Sequence, residues 1–330
     1  MANLRYGLLG VGMMGRHHAR VLREIEGIDL VAIADPGGDP HHVAGDLPIL
    51  PDVEALISAE IDVAVVAAPT QFHEEVALKL ASAKVHVMVE KPIAHSVEAG
   101  ERMMRAFETA GVFGAVGHIE RYNAALQEMR RRIAEGQLGE IFQIATRRQS
   151  QFPGRIADVG VAKDLASHDI DLTAWVAQSQ YSSIHAETTF RSGRTHEDMF
   201  LAIGTLDNGV IVNHIVNWLS PMKERTTVVT GEKGTFVADL LTSDLTYYAN
   251  GTVPTSWDTV SAFRGVSEGD VTRYAFVKPE PLRCEHEALR DTILGKTSTA
   301  VTMGEGLRTL QVVELALEAS QDGGNHRQIS

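Results

Sequence analysis

Asp164, His168 and Asp171 recur at i, i+4 and i+7, which puts three polar side chains on one helix stripe beside an apolar stripe of Leu165, Leu172 and Val176. An aspartate four residues before a histidine reaches the imidazole, orients it and raises its basicity, as a general base near neutral pH requires. The same residues also fit an acidic first turn complementing the helix dipole beside a surface histidine. They fit metal ligation less well, since no other segment supplies zinc-like spacing, and no metal is expected. A second charged group, Glu90-Lys91-Pro92, closes an apolar run at the end of a strand, where open α/β sheets present ligand groups. A solvated turn stiffened by proline is the plainer account of it.

A third segment, Gly10-Val-Gly12-Met-Met-Gly15, follows the first apolar run and precedes an amphipathic pattern through Val21, Leu22 and Ile25. Each glycine has its own task there: Gly10 makes the tight turn, Gly12 lets the backbone approach a pyrophosphate, and Gly15 lets the helix pack closely on the strand. The free N–H groups of the helix then face the phosphates. Asp35 stands about twenty residues past Gly15 at the end of the second strand, where a carboxylate accepts hydrogen bonds from ribose hydroxyls. It would repel a 2′-phosphate, and no Arg or Lys occurs between Asp35 and Lys79, so NAD is expected rather than NADP.

Strand signals at 4–9, 28–34, 62–67, 85–89 and 112–116 alternate with helical ones, including 74–81 and 96–110. This alternation specifies a parallel sheet with helices on both faces. From Glu140 the period changes. Strands are expected at 141–146, 183–190, 199–206, 210–217, 226–229, 235–238 and 245–248, several joined by Asp207-Asn208-Gly209, Gly231-to-Gly234 and Asn250-Gly251 turns. That describes a mostly antiparallel sheet, with helices at 163–176, 285–294 and 303–320 and a frayed tail from 321. Two domains are expected, an NAD-binding Rossmann domain at 1–118 and a second domain at 119–330 that binds substrate.

The 330 residues carry 43 acidic against 30 basic side chains, a formal charge of −13 that disfavours nucleic acid and anionic membrane. No apolar run approaches the roughly 18–20 residues of a membrane span. Cys284 is the sole cysteine, so an internal disulfide is excluded and a reducing cytoplasm is expected. Met1 to Tyr6 leads straight into the first strand, with no charged-then-apolar leader to suggest export.

The order Gly10-x-Gly-x-x-Gly15, Glu90-Lys91-Pro92, Gly117-His-Ile-Glu-Arg121-Tyr-Asn123 and Asp164-x-x-x-His168-Asp-x-Asp171 resembles the Gfo/Idh/MocA oxidoreductases over most of the chain. The resemblance implies an open mixed sheet with helices on one face in the C-terminal domain and a substrate cleft between the domains. It also implies last helices that pack back on the Rossmann domain, and a homodimer or homotetramer built through the exposed face of the second sheet. Lys91, Asp164 and His168 are implied as the catalytic group. Expected cofactor contacts are Gly10, Gly12, Met13, Met14, Gly15, Asp35, Pro69, Thr70, His73, Glu90 and Lys91.

Oxidising a secondary alcohol needs a hydride acceptor, a group of near-neutral pKa and a group that polarises the oxygen. His168 fits as the base, with Asp164 orienting it. Lys91 fits as the donor that stabilises negative charge on oxygen. Residues 117–123, with Thr146-Arg147-Arg148 and Phe152-Pro-Gly-Arg155, look most like a subgroup resembling UDP-N-acetylglucosamine 3-dehydrogenases. His118, Arg121, Asn123 and Arg155, with Asp164 and His168, are the expected substrate contacts; for His118, Arg121 and Asn123 the plain alternative is capping of the helix that follows. Arg147 and Arg148 must point to opposite faces of a regular strand. His17, His18, His41 and His42 read as packing or solvent positions. Two rivals stand beside the nucleotide-sugar reading: a dehydrogenase of myo-inositol or another free polyol, and a non-catalytic NAD-binding module.

Overall fold

Val63–Val66 has every side chain buried, the mark of a strand covered on both faces and therefore of a parallel sheet sandwiched by helices. In the computed structural model, which describes residues 3–154, 159–251, 268–296, 299–321 and 327–329, this strand lies inside the first of two units. Unit 1 comprises 1–119 and 280–311, and unit 2 comprises 120–279 and 312–330.

Unit 1 holds β1 (Leu4–Leu9), β2 (Ile28–Ala34), β3 (Ile49–Leu50), β4 (Val63–Val66), β5 (His86–Glu90) and β6 (Gly114–Gly117). All pairs are parallel, in the order β3-β2-β1-β4-β5-β6. The order reverses between β1 and β4, so the carboxyl ends of β1, β4 and β5 flank the switch point where such sheets bind ligands. Leu9, Val66, Leu80, Met103 and Phe107 fill one face of the sheet, and Tyr6, Leu8, Leu22 and Met88 fill the other. Helix Val97–Ala110 shows how sharply its ends are set: Ser96 accepts from the Ala99 amide at 3.3 Å, and Gly111 closes it at φ +69°. A cut near 118 describes only the first boundary, because the chain re-enters unit 1 later. There, Leu282 and Leu289 of helix Pro281–Ile293 join the face of Tyr6 and Leu22. Their apolar spacing signals a helix but not which sheet it covers.

Unit 2 is a mixed sheet in the order β14-β13-β12-β11-β7-β10-β9-β8-β15. Its strands are β7 (Ile141–Gln151), β8 (Tyr181–Thr189), β9 (Met199–Leu206), β10 (Ile211–Asn217), β11 (Leu219–Gly231), β12 (Gly234–Asp239), β13 (Asp244–Asn250), β14 (Glu268–Arg273) and β15 (Arg327–Gln328). Only β7 and β10 run parallel among these pairs. Period-2 burial is clean along β9, where Phe200 and Ala202 are buried and Leu201 and Ile203 exposed. Helices Ala124–Ala134 and Ser167–Ala177 supply Leu126, Met129, Ile170 and Leu172 to the core that includes Ile144, Val212 and Phe236.

Five strands exceed the sequence expectation: the short β3, the longer β7 and β11, and the added edge strands β14 and β15. Each involves polar or short segments whose pairing comes from the neighbouring strand rather than from their own alternation. Of the expected tail, 322–326 and 330 lie outside the described residues.

Candidate active site

The glycine turn after β1 is built as its spacing requires. Gly10 sits at φ +96°, and a Cβ there would meet the Ala67 carbonyl oxygen at 2.6 Å. A Cβ on Gly15 would lie 1.9 Å from the Gly10 carbonyl oxygen, so the helix can approach only without one. Gly12 differs: nothing stands within 4 Å of its Cβ position, which leaves the backbone open to a ligand at the uncapped start of helix Met13–Leu22. Asp35 closes the other side, its Oδ2 accepting the Val11 amide and its Oδ1 the Gly37 amide, both at 2.8 Å. The carboxylate is thus fixed beside the turn with lone pairs remaining for ribose hydroxyls. These features fit a dinucleotide.

Met13 and Pro69 are exposed, Met14 and Thr70 half-buried, and all stand at the carboxyl ends of β1 and β4. His73 is placed otherwise. Only 1% exposed, it turns Nε2 to the Ala68 carbonyl at 2.9 Å and Nδ1 to the Pro92 carbonyl at 3.1 Å. Burial lowers its pKa against the opposing pull of the carbonyls; the neutral ring has one N–H and donates to one side only, so His73 stands buried between the loops after β4 and β5 rather than open to cofactor.

Glu90 and Lys91 stand at the end of β5. The Glu90 carboxylate is engaged from two sides: Oε1 accepts from His18 Nε2 at 2.8 Å and Oε2 from the Lys91 amide at 3.2 Å. Burial pushes its pKa up, but the His18 hydrogen bond and charge, with Lys91, outweigh burial and hold it below the usual value. His118, which follows β6 in the same unit, is buried.

In unit 2 the expected helix is not uniform. Ala162–Ala166 forms a turn of π-helix before the α-helix Ser167–Ala177 begins. Asp164 thus stands in the wider π turn, and His168 and Asp171 in the α-helix that continues it. Asp164 and His168 are buried, at 8% and 9% exposure. Glu197 anchors the start of the turn, its Oε1 accepting the Ala162 amide and its carbonyl the Val161 amide, both at 3.0 Å. Gly160 makes room for it: a Cβ there would lie 2.0 Å from Glu197 Oε1.

Asp171 leaves the stripe for structural duty. Arg121 grips it in a buried bidentate pair, Nε to Oδ2 at 2.7 Å and Nη2 to Oδ1 at 2.6 Å. Asn123 caps the helix that follows, accepting the Ala125 amide at 3.0 Å and donating to the Leu240 carbonyl at 3.1 Å. The geometry of Arg121 and Asn123 is therefore that of scaffold groups, and Arg155 lies outside the described residues. Arg147 and Arg148 do part to opposite faces. The Arg147 side chain is half exposed, whereas Arg148 is buried and donates to Asp169 Oδ1 at 3.0 Å and Glu120 Oε1 at 2.7 Å. Arg225, beside Arg148 on β11, shares Glu120 at 3.2 Å. Burial, with Arg148 next, lowers the Arg225 pKa, while Glu120, Asp169 and Asp164 oppose the shift.

Three supports went unseen in the sequence: the Glu197 anchor, the Arg148–Asp169–Glu120–Arg225 network and the His18 contact to Glu90. A buried charge in an amphipathic segment was the one available signal, carried by Asp169 and Asp171. The remaining partners are far apart in sequence and give none.

Residues 4–118 match the family model described as "Oxidoreductase family, NAD-binding Rossmann fold", and residues 126–237 match "GFO/IDH/MocA C-terminal domain". A UDP-N-acetylglucosamine 3-dehydrogenase of Acidithiobacillus ferrooxidans is 30% identical over 216 residues, 64% of this chain and 66% of that protein. Inositol 2-dehydrogenase 2 of Saccharopolyspora erythraea is 30% identical over 224 residues, 64% and 65% of the two chains. The match thus spans just under two thirds of each relative. Among solved structures, the WlbA dehydrogenase of Bordetella pertussis, determined with NADH and UDP-GlcNAcA, is similar at a TM-score of 0.84 and 21% identity, over 100% of this chain and 98% of that one. That likeness extends the fold assignment to the whole chain.

Proposed function

Because the chain belongs to the Gfo/Idh/MocA oxidoreductase family, we propose that it is an NAD-dependent dehydrogenase that oxidises a secondary hydroxyl of a sugar, with a nucleotide sugar as substrate. The observation that supports the chemistry is the burial of Asp164 in an anchored π turn and of His168 in the first turn of the α-helix that continues it, since π turns cluster at functional sites. His168 accepts the hydroxyl proton, Asp164 orients and supports the imidazole, and Lys91 donates to the substrate oxygen as negative charge develops there. Bound NAD supplies the hydride acceptor. Gly10, Gly12 and Gly15 would hold its pyrophosphate, and Asp35 its ribose, in place of the basic residues that a 2′-phosphate requires.

The nucleotide-sugar choice draws support from a cavity of about 370 Å³ in unit 2. Its wall includes Phe152, Trp218 and Arg194, with the Arg194 guanidinium stacked over the Phe152 ring and Glu197 of the π-turn anchor following shortly in sequence. Aromatic faces and a guanidinium suit a base and a diphosphate. The inositol dehydrogenase relative favours a second reading, oxidation of a free polyol. Incubating the protein with NAD and either UDP-N-acetylglucosamine or myo-inositol, and following NADH absorbance, separates the two. Turnover of myo-inositol alone overturns the nucleotide-sugar reading. Leu201, Ile203 and Ile211 toward one side of the open face of the unit 2 sheet, and Tyr248 and Val271 toward the other, are exposed apolar positions suited to self-association as a homodimer or homotetramer. A basic groove for nucleic acid has no place in this reading, and no helix among the described residues is long and apolar enough to cross a membrane.

A further inference from the structure

Inside unit 1, a chain of buried side chains leads away from Glu90 and reaches residues that the reaction does not use. His18 Nε2 lies 2.8 Å from Glu90 Oε1, and His18 Nδ1 lies 2.8 Å from His286 Nε2. Both rings are 0% exposed and meet edge to face, with Tyr6 packed edge-on against His286. An ionised carboxylate only accepts, so the Nε2 contact is a donation from His18 to Glu90. His286, kept neutral by burial and by the neighbouring His18, then completes the second nitrogen of His18, as donor if His18 is neutral and as acceptor if it is charged. In both arrangements every nitrogen of His18 is committed. The far side of Glu90 is equally tight. A Cβ on Gly117 would meet the Glu90 carboxyl at 3.3 Å, and Glu90 Oε2 holds the Lys91 amide. The titratable groups that act on the members of the chain include Lys91 and His73 near Glu90, His17 near His18, and Arg290 and Asp291 near Tyr6, whose own pKa burial pushes up.

We propose that His18, braced by His286, is a positioning residue for the oxidoreductase reaction: it fixes the Glu90 carboxylate, which in turn sets the backbone from which Lys91 reaches the substrate. The proposal rests on the reading of Lys91 as the group that polarises the substrate oxygen. It explains why helix Pro281–Ile293 is packed into unit 1, since this helix supplies the outer end of the brace. The brace gives Glu90 one orientation with all of its charge satisfied. A reactive lysine on a loop next to a loose buried carboxylate would instead sample several positions, and small displacements of this kind lower kcat without weakening substrate binding.

The test is a mutant cycle on the full chain with whichever sugar it turns over. His18→Leu is expected to lower kcat at least tenfold while KM for the sugar and the affinity for NADH, read by its fluorescence, change less than threefold. His18→Gln retains a donor and should recover most of that loss. Glu90→Gln should lower kcat similarly, and the double variant should be no worse than the worse single one, because His18 acts through Glu90. Full kcat in a folded His18→Leu protein, or losses that multiply in the double variant, overturns the proposal. If His18→Leu fails to fold, the Glu90→Gln and His286→Leu pair is read the same way. Lys91→Met reports separately: full activity there overturns the reading of Lys91, whereas the His18 and Glu90 cycle still decides whether the brace matters to turnover.

Discussion

The two units fix their candidate site residues by opposite means. In unit 1 the end of β5 is held by imidazoles, His73 and the His18–His286 pair, that reach carbonyls, one carboxylate and each other. In unit 2 helix Ser167–Ala177 is held by charge, with Asp169 on Arg148 and Asp171 on Arg121, all deeply buried. A sheet edge facing a phosphate-binding turn gains from groups that add little net charge beside the ligand. A helix lying on a sheet face that already carries Arg148 and Arg225 needs carboxylates to neutralise them, because buried charges persist only when paired.

The largest expected effect breaks both halves of the comparison at once. His168→Ala or Lys91→Met should lower kcat by about 10²–10⁴-fold, the usual range for lost proton transfer or oxyanion stabilisation, with the circular dichroism spectrum unchanged. A steady-state assay reads this directly, and a His168→Ala enzyme with normal kcat at every pH would remove the base assignment. Next in size is Arg148→Met, which strips Asp169 of its guanidinium and leaves Glu120 with Arg225. Urea denaturation should show a loss of about 3–5 kcal/mol. A loss below about 1 kcal/mol would mean that charge does not hold this helix.

Acid should expose the contrast more gently. His214, tied to Thr146 at 2.7 Å and Tyr181 at 2.8 Å in unit 2, is pushed down to about 3 by burial, and His286 in unit 1 is also well below its ordinary value. As pH falls below 6.5 the unfolded chain takes up protons that these folded histidines refuse. Stability therefore falls with falling pH, by about 1.4 kcal/mol per pH unit for each histidine, and for His214 the loss ends near pH 3. Melting temperatures across that range test the sign, and His214→Phe should flatten the slope. The smallest effect concerns the open face of the second sheet: Ile203→Glu should leave stability nearly unchanged yet shift light-scattering mass toward the monomer.

Much of this was legible along the chain because it is local. The glycine turn, Asp35, the strand ending at Glu90 and the antiparallel period after Glu140 all rest on neighbours a few residues apart. The structure of the site's supports was not. His18 and His286 are separated by 268 residues, and Glu197 anchors a turn 35 residues before it, so no spacing rule links them. The π turn was invisible for another reason: residues 163–176 satisfy a regular α pattern, and only the Glu197 anchor and Gly160 reveal where the register widens. For Arg121 and Asn123 the motif left substrate contact and capping of the next helix both open, and their bonds to Asp171, Ala125 and Leu240 show a scaffold role.

The most direct test of the central claim is NADH formation by the purified protein with UDP-N-acetylglucosamine and NAD, measured alongside NADP and alongside the Asp164→Asn variant. Turnover with NAD, much weaker turnover with NADP, and near-complete loss in the variant with NADH binding retained are expected. Equal turnover in the Asp164→Asn protein, or a preference for NADP, would contradict the claim.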